Sequence, residues 1–166
     1  MWKTGDRVVY SNQGVCDVMG IEQMTQSGKT RDYLLLVPVN QPKNRLYIPM
    51  HNEAALAKII PLLTRRELEV LLASPAIRQE QWEPVETKRK QLYHELLARG
   101  SREALLTTIY TLYAVQDRQR ALGRRLHICD ENFLRDAEHS LAEEISFVLE
   151  LSQDQAKAYL ERTLRE

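Results

Sequence analysis

The spacing of apolar and polar positions changes period once along the chain, near residue 52. Before that point, short apolar runs alternate with turn residues. Residues 7–10 form a first strand between a turn at Gly5-Asp6 and a second over 11–14, and residues 15–21 form another. A polar hairpin turn over 25–30 leads into the strong strand 31–37. A turn over 38–44 then leads to the last strand, 45–49, which ends on its own proline. About four or five short strands in so few residues predict a small β-barrel rather than an open sheet.

From Asn52 the period is helical. A short segment begins at Ala54 and is interrupted by Pro61. Thr64-Arg65-Arg66-Glu67 is a capping box ahead of Leu68, Leu71 and Leu72, and Ser74-Pro75 stops that helix. Residues 75–83 read as a connector with Trp82 near its end. A helix is predicted over 84–98, with Pro84 in its first turn, and Ser101 is placed to cap the next. That next helix carries Leu105, Ile109 and Leu112 beside Leu106, Tyr110 and Tyr113, so it is buried on more than one face and ends near Gly123. Asp130 is the expected cap of a helix with the stripe Leu134, Ala137, Leu141, Ile145 and Val148. Ser152-Gln153-Asp154-Gln155 opens the last one. Short connections imply a compact antiparallel bundle. The expected class is α+β: a β-rich domain over 1–52, a connecting helical segment over 53–75 and a helical domain over 76–166.

Composition adds little to this, but charge distribution adds something. Basic and acidic residues balance at 23 each. Between Trp82 and Cys129 there are nine basic and five acidic residues, and from Asp130 onward four basic and ten acidic. A basic middle beside an acidic end is either a polarised binding surface or a set of solvated helix faces. Cys16 and Cys129 have no ligand spacing around them and are expected as free thiols. The chain enters folded sequence at Met1-Trp2-Lys3-Thr4 without an apolar leader, and no run reaches the length of a membrane span, so a cytoplasmic protein is expected.

The opening Trp2-Lys3-Thr4-Gly5-Asp6-Arg7-Val8-Val9-Tyr10, with Gly14-Val15 and Ile21-Glu22, resembles the start of CarD-like bacterial transcription regulators. The same module opens the RNA-polymerase-interacting domain of transcription-repair coupling factors. The ending Tyr47-Ile48-Pro49-Met50-His51-Asn52 is similar to that domain too. Further on, Ile109-Tyr110-Thr111-Leu112-Tyr113 with Gln116-Asp117-Arg118, and the helix from Leu134 to Glu144, are similar to segments of the family's helical part.

The resemblance implies a Tudor- or SH3-like β-barrel that docks by a strand edge on the β subunit of RNA polymerase, followed by a helical bundle that meets promoter DNA. Relatives often hold basic interface residues where this chain has Met24 and Tyr47. Arg31 and Arg45 replace that charge if they project from the same face; otherwise Met24 and Tyr47 finish the core.

In the family a tryptophan ahead of the bundle wedges into the minor groove at the upstream edge of the melted region, flanked by basic residues. Here Trp82 matches it, with Lys88, Arg89 and Lys90 displaced by what reads as a four-residue insertion, Pro84-Val85-Glu86-Thr87, worth about one helical turn. Arg124 and Arg125 either add phosphate contacts or cap the preceding helix. A lone tryptophan near a helix start also serves as a packing anchor.

No catalytic constellation stands out. The four histidines are scattered, His127-x-Cys129-Asp130 lacks a second ligand pair, and Glu143-Glu144 are expected to face water. There is no Gly-rich phosphate loop. The expectation is a monomeric, non-enzymatic transcription regulator without cofactor or metal, bound to the RNA polymerase β subunit and, weakly by itself, to promoter DNA. The alternatives are a protein–protein adaptor that has lost DNA binding and an unrelated Tudor-like peptide binder.

Overall fold

The computed structural model describes residues 2–10 and 13–166, with Arg99 described by its backbone alone. Ser11 and Asn12 of the predicted second turn lie outside the described residues. The chain divides into two compact units, the first ending at Leu62 and the second spanning Leu63–Glu166. The segment expected as a connector over 53–75 is shared between them.

The first unit is a five-stranded antiparallel sheet in the order β4-β3-β2-β1-β5. Its strands are β1 (Arg7–Tyr10), β2 (Gly14–Gln26), β3 (Lys29–Pro38), β4 (Leu46–Pro49) and β5 (Ile59–Pro61), with a one-turn helix α1 (Glu53–Leu56) between the last two. β2 and β3 form a long hairpin whose last pair is Gln26↔Lys29. Its two central residues, Ser27 and Gly28, both have positive φ (51° and 76°), the turn whose twist matches the flanking strands.

At Met19 the register shifts between Val18 and Gly20. Such a bulge bends the hairpin and reverses which face each later residue of β2 takes. Val8, Cys16, Val18, Leu34, Leu36, Ile48 and Ile59 form the core on one face, with Trp2, Met50 and Leu56 packed against it.

One expectation is corrected here. Ile59–Pro61 continues no helix; it pairs with β1 as the fifth strand. β4 and β5 are the two ends of the sheet, with no pairing between them among the described residues, and a shallow groove of about 350 Å³ is lined by Arg45, Leu46, Tyr47, Ile48, Tyr10, Gln13 and Lys58.

The second unit contains α2 (Arg65–Ala73), a 3₁₀ turn at Pro75–Ile77, α3 (Glu86–Arg99), α4 (Arg102–Ala121), α5 (Ile128–Leu149) and α6 (Gln153–Arg165). The capping boxes at Thr64 and Ser152 form as the sequence predicts, each with both reciprocal hydrogen bonds, and Ser101 caps α4. α4 is buried around much of its circumference, from Leu105 to Val115. Leu106, Ile109, Leu112, Leu134, Ala137, Ile145, Leu160 and Leu164 are among the residues of a single core.

Glu143 and Glu144, expected in water, are 7% and 5% exposed. The Glu144 carboxylate accepts from Arg102 Nε at 2.7 Å and Nη2 at 2.6 Å, and from the Leu63 amide at 3.0 Å. A buried carboxylate needs such partners to stay charged. Among the described residues no helix is long and apolar enough to cross a membrane.

Candidate functional site

Two groups of side chains, one in each unit, carry the candidate chemistry. In the first unit, Met24 pairs directly with Arg31 and Tyr47 with Leu35. Side chains alternate along β3, so Arg31, Tyr33 and Leu35 share a face, and cross-strand partners share it with them. Met24, Arg31 and Tyr47 therefore lie together on the face opposite the core residues Leu34, Leu36 and Ile48. Neither Met24 nor Tyr47 joins the core cluster; Tyr47 is 36% exposed. Arg45 is exposed one residue ahead of β4, a strand that pairs on one side only.

The bulge at Met19 produces this arrangement. Without it, alternation from the buried Val18 would carry Met24 to the core side. Arg31 and Arg45 have no ion pair among the described residues.

In the second unit, residues 81–85 form neither helix nor strand, and α3 begins only at Glu86, with Val85 as its uncapped N-terminal boundary. Of the four residues read as an extra helical turn, Pro84 and Val85 precede α3 and Glu86 and Thr87 open it, and Trp82 sits before the helix rather than on it. The residue is 39% exposed, and the Arg89 guanidinium lies 4.4 Å from the indole centroid.

The expectation that Arg89 holds phosphate is corrected. The residue is 7% exposed. Its Nε and Nη2 donate to the two Asp130 oxygens at 3.0 and 3.3 Å, and Nη1 donates to the carbonyls of Glu83 and Pro84 at 3.3 and 3.2 Å. Burial opposes the Arg89 charge, and the Asp130 carboxylate more than restores it, so the guanidinium pKa stands above its ordinary value.

Asp130 does not cap α5 either. That position belongs to His127, whose Nδ1 accepts from the Cys129 amide at 3.2 Å. Asp130, 1% exposed, instead takes the Tyr93 hydroxyl at 2.5 Å. Burial, followed by that hydrogen bond, pushes the Tyr93 pKa up.

Lys88 and Lys90 are exposed on α3. Lys90 Nζ lies 3.1 Å from Glu86 Oε1, one turn back. Arg124 and Arg125 are exposed in the loop between α4 and α5. His127 Nε2, 3.3 Å from Glu86 Oε1, ties the end of that loop to the start of α3. The fold therefore ties the end of the loop carrying Arg124 and Arg125 to the start of α3 and withdraws Arg89 from solvent.

Ligand atoms of Glu86, His127 and Cys129 come within 4.8 Å of one another. Cys129 Sγ, however, lies 3.2 Å from Nδ1 and Glu86 lies at Nε2, the other nitrogen of the ring. Burial, then the Asp130 carboxylate, raises the Cys129 pKa and keeps the thiol protonated.

Sequence reasoning missed Asp130 and Tyr93 as the holders of Arg89. They stand 41 and 37 residues apart from their partners, and no local pattern links residues at such separations.

No curated protein matches the chain. Residues 2–60 match the family model of the CarD-like/TRCF RID domain, and this span contains the sheet from β1 into β5 with the Met24, Arg31 and Tyr47 face. The N-terminal domain of the chain is thus similar to the CarD-like/TRCF RID domain, and the match ends at residue 60, before the helical unit begins.

Proposed function

We propose that the protein is a non-enzymatic transcription regulator that docks on the RNA polymerase β subunit through its sheet and stabilises the promoter open complex through its helical unit. The docking surface is the half-paired strand β4 with Tyr47, Met24, Arg31 and Arg45. A strand that pairs on one side offers backbone groups to a partner, and flanking cations select an acidic one.

In the helical unit, Trp82 is the wedge at the upstream edge of the melted DNA. Lys88, Arg124 and Arg125 supply phosphate contacts, while Lys90 is paired with Glu86. Arg89 is not in that set. A wedge keeps a base step unstacked, and contacts to phosphate offset the cost. Such contacts favour open over closed DNA by their differential affinity alone. The effect on transcript yield depends on the promoter, because an over-stabilised open complex slows escape.

The observation that carries this reading is a tryptophan that stays 39% exposed ahead of the helix, where a packing anchor would be buried. Trp82→Ala is expected to shorten open-complex lifetime while retention of RNA polymerase stays at the parent level. Equal lifetimes for mutant and parent would refute the wedge. They would favour the second reading, an adaptor without DNA binding, which is supported by the withdrawal of Arg89 into an ion pair and of Lys90 onto Glu86.

A further inference from the structure

An indole on a segment without helix or strand samples many orientations unless something holds it. Here the holding groups form a chain. The Gln81 amide donates to Thr111 Oγ1 at 2.9 Å, fixing the residue ahead of Trp82. The Arg89 guanidinium covers one face of the indole and grips the two carbonyls that follow it, Glu83 and Pro84. Asp130 fixes that guanidinium through both its oxygens and is itself fixed by Tyr93, whose ring stacks on Phe133 at 4.2 Å and 15°. The guanidinium is thus fully engaged inside the protein, on the inner side of the one aromatic side chain the segment shows to solvent.

We propose that Arg89 and Asp130 are a positioning pair, holding the Trp82 indole in one orientation for insertion at an unstacked base step. This rests on the reading of Trp82 as a wedge. Arg89 acts through Trp82 and touches no phosphate. The pair raises the fraction of molecules in the insertion-competent orientation. Loosening it therefore weakens apparent affinity by that fraction and leaves the saturated complex unchanged.

The test uses the full chain with Trp2→Phe, which leaves Trp82 as the sole indole of the two tryptophans. Arg89→Lys keeps the charge but cannot span Asp130, two carbonyls and the indole together. Asp130→Asn keeps the volume and the Tyr93 contact. In each variant, acrylamide quenching of Trp82 fluorescence without DNA is expected to rise about twofold or more. The concentration giving half-maximal open-complex stabilisation is expected to rise about 2- to 10-fold, with the plateau unchanged.

Unchanged quenching in folded variants would overturn the proposal. So would loss of helical circular dichroism in both, which would assign the pair to folding alone. Trp82→Ala, measured alongside, separates the two claims. If it leaves open complexes unaffected, the wedge reading fails while the quenching still decides whether the pair orients the indole.

Discussion

The structure reduces the cations available to DNA, and that reduction has a measurable slope. Of five candidates, Arg89 is committed to Asp130 and Lys90 to Glu86, leaving Lys88, Arg124 and Arg125 exposed without an ion pair among the described residues. Each phosphate contact contributes about −0.9 to the slope of log affinity against log salt, so three contacts give about −2.7. Raising salt from about 50 to about 200 mM then weakens binding about 40-fold. The double substitution Arg124→Gln, Arg125→Gln leaves one contact, a slope of about −0.9 and a loss of about 3.5-fold over the same range. Glu86→Gln releases Lys90 and steepens the slope to about −3.6. Fluorescence anisotropy of a labelled fork-junction duplex titrated with the full chain measures all three. A slope that survives the double substitution would refute the reasoning. So would a slope that drops by about 0.9 on Arg89→Gln, because the guanidinium would then be leaving Asp130 for a phosphate.

Other expectations concern the scaffold. Arg102→Met strands the Glu144 carboxylate with only the Leu63 amide, and the cost is about 3 kcal/mol by urea unfolding, the low end for a broken buried pair because Arg102 is partly exposed. Adding Glu144→Gln should recover part of it; equal losses in the single and double variants would show that the stranded carboxylate is not the source of the cost. Thr64→Ala removes half of a capping box and should cost about 1 kcal/mol, whereas Thr64→Ser should be near neutral in the same titration.

Glu138 accepts from the Tyr113 hydroxyl at 2.9 Å and faces Lys157, Glu161 and Arg165. Burial raises its pKa above the ordinary 4.5, outweighing the lowering by Tyr113 and Lys157. The folded state therefore holds the proton more tightly than the unfolded one. That contribution to stability is complete below about 4.5 and is lost as pH rises through the folded value. Glu138→Gln should accordingly gain stability relative to the parent as pH climbs above that point. A difference independent of pH in thermal melts would contradict the raised pKa.

Interactions spanning a few residues were legible in the chain itself. The Thr64 and Ser152 boxes, the Ser101 cap, the strand at Arg7–Tyr10 and the change of period near Asn52 each depend on neighbours within one turn or one pleat, and all are present. The opening motif was legible for the same reason, since its turns and strands are local. Tertiary structure decided the rest. Ile59–Pro61 reads as the end of a short helix until β1 offers it a partner. The faces of β2 follow from alternation only up to Met19, and one bulged residue, set by pairing with β3, carries Met24 to the side of Arg31 and Tyr47. Arg89 looks like a solvent-facing member of a basic triplet, yet Asp130 draws it inside. A partner distant in sequence leaves no local trace, and the free energy of pairing a buried carboxylate exceeds any preference the triplet carries by itself.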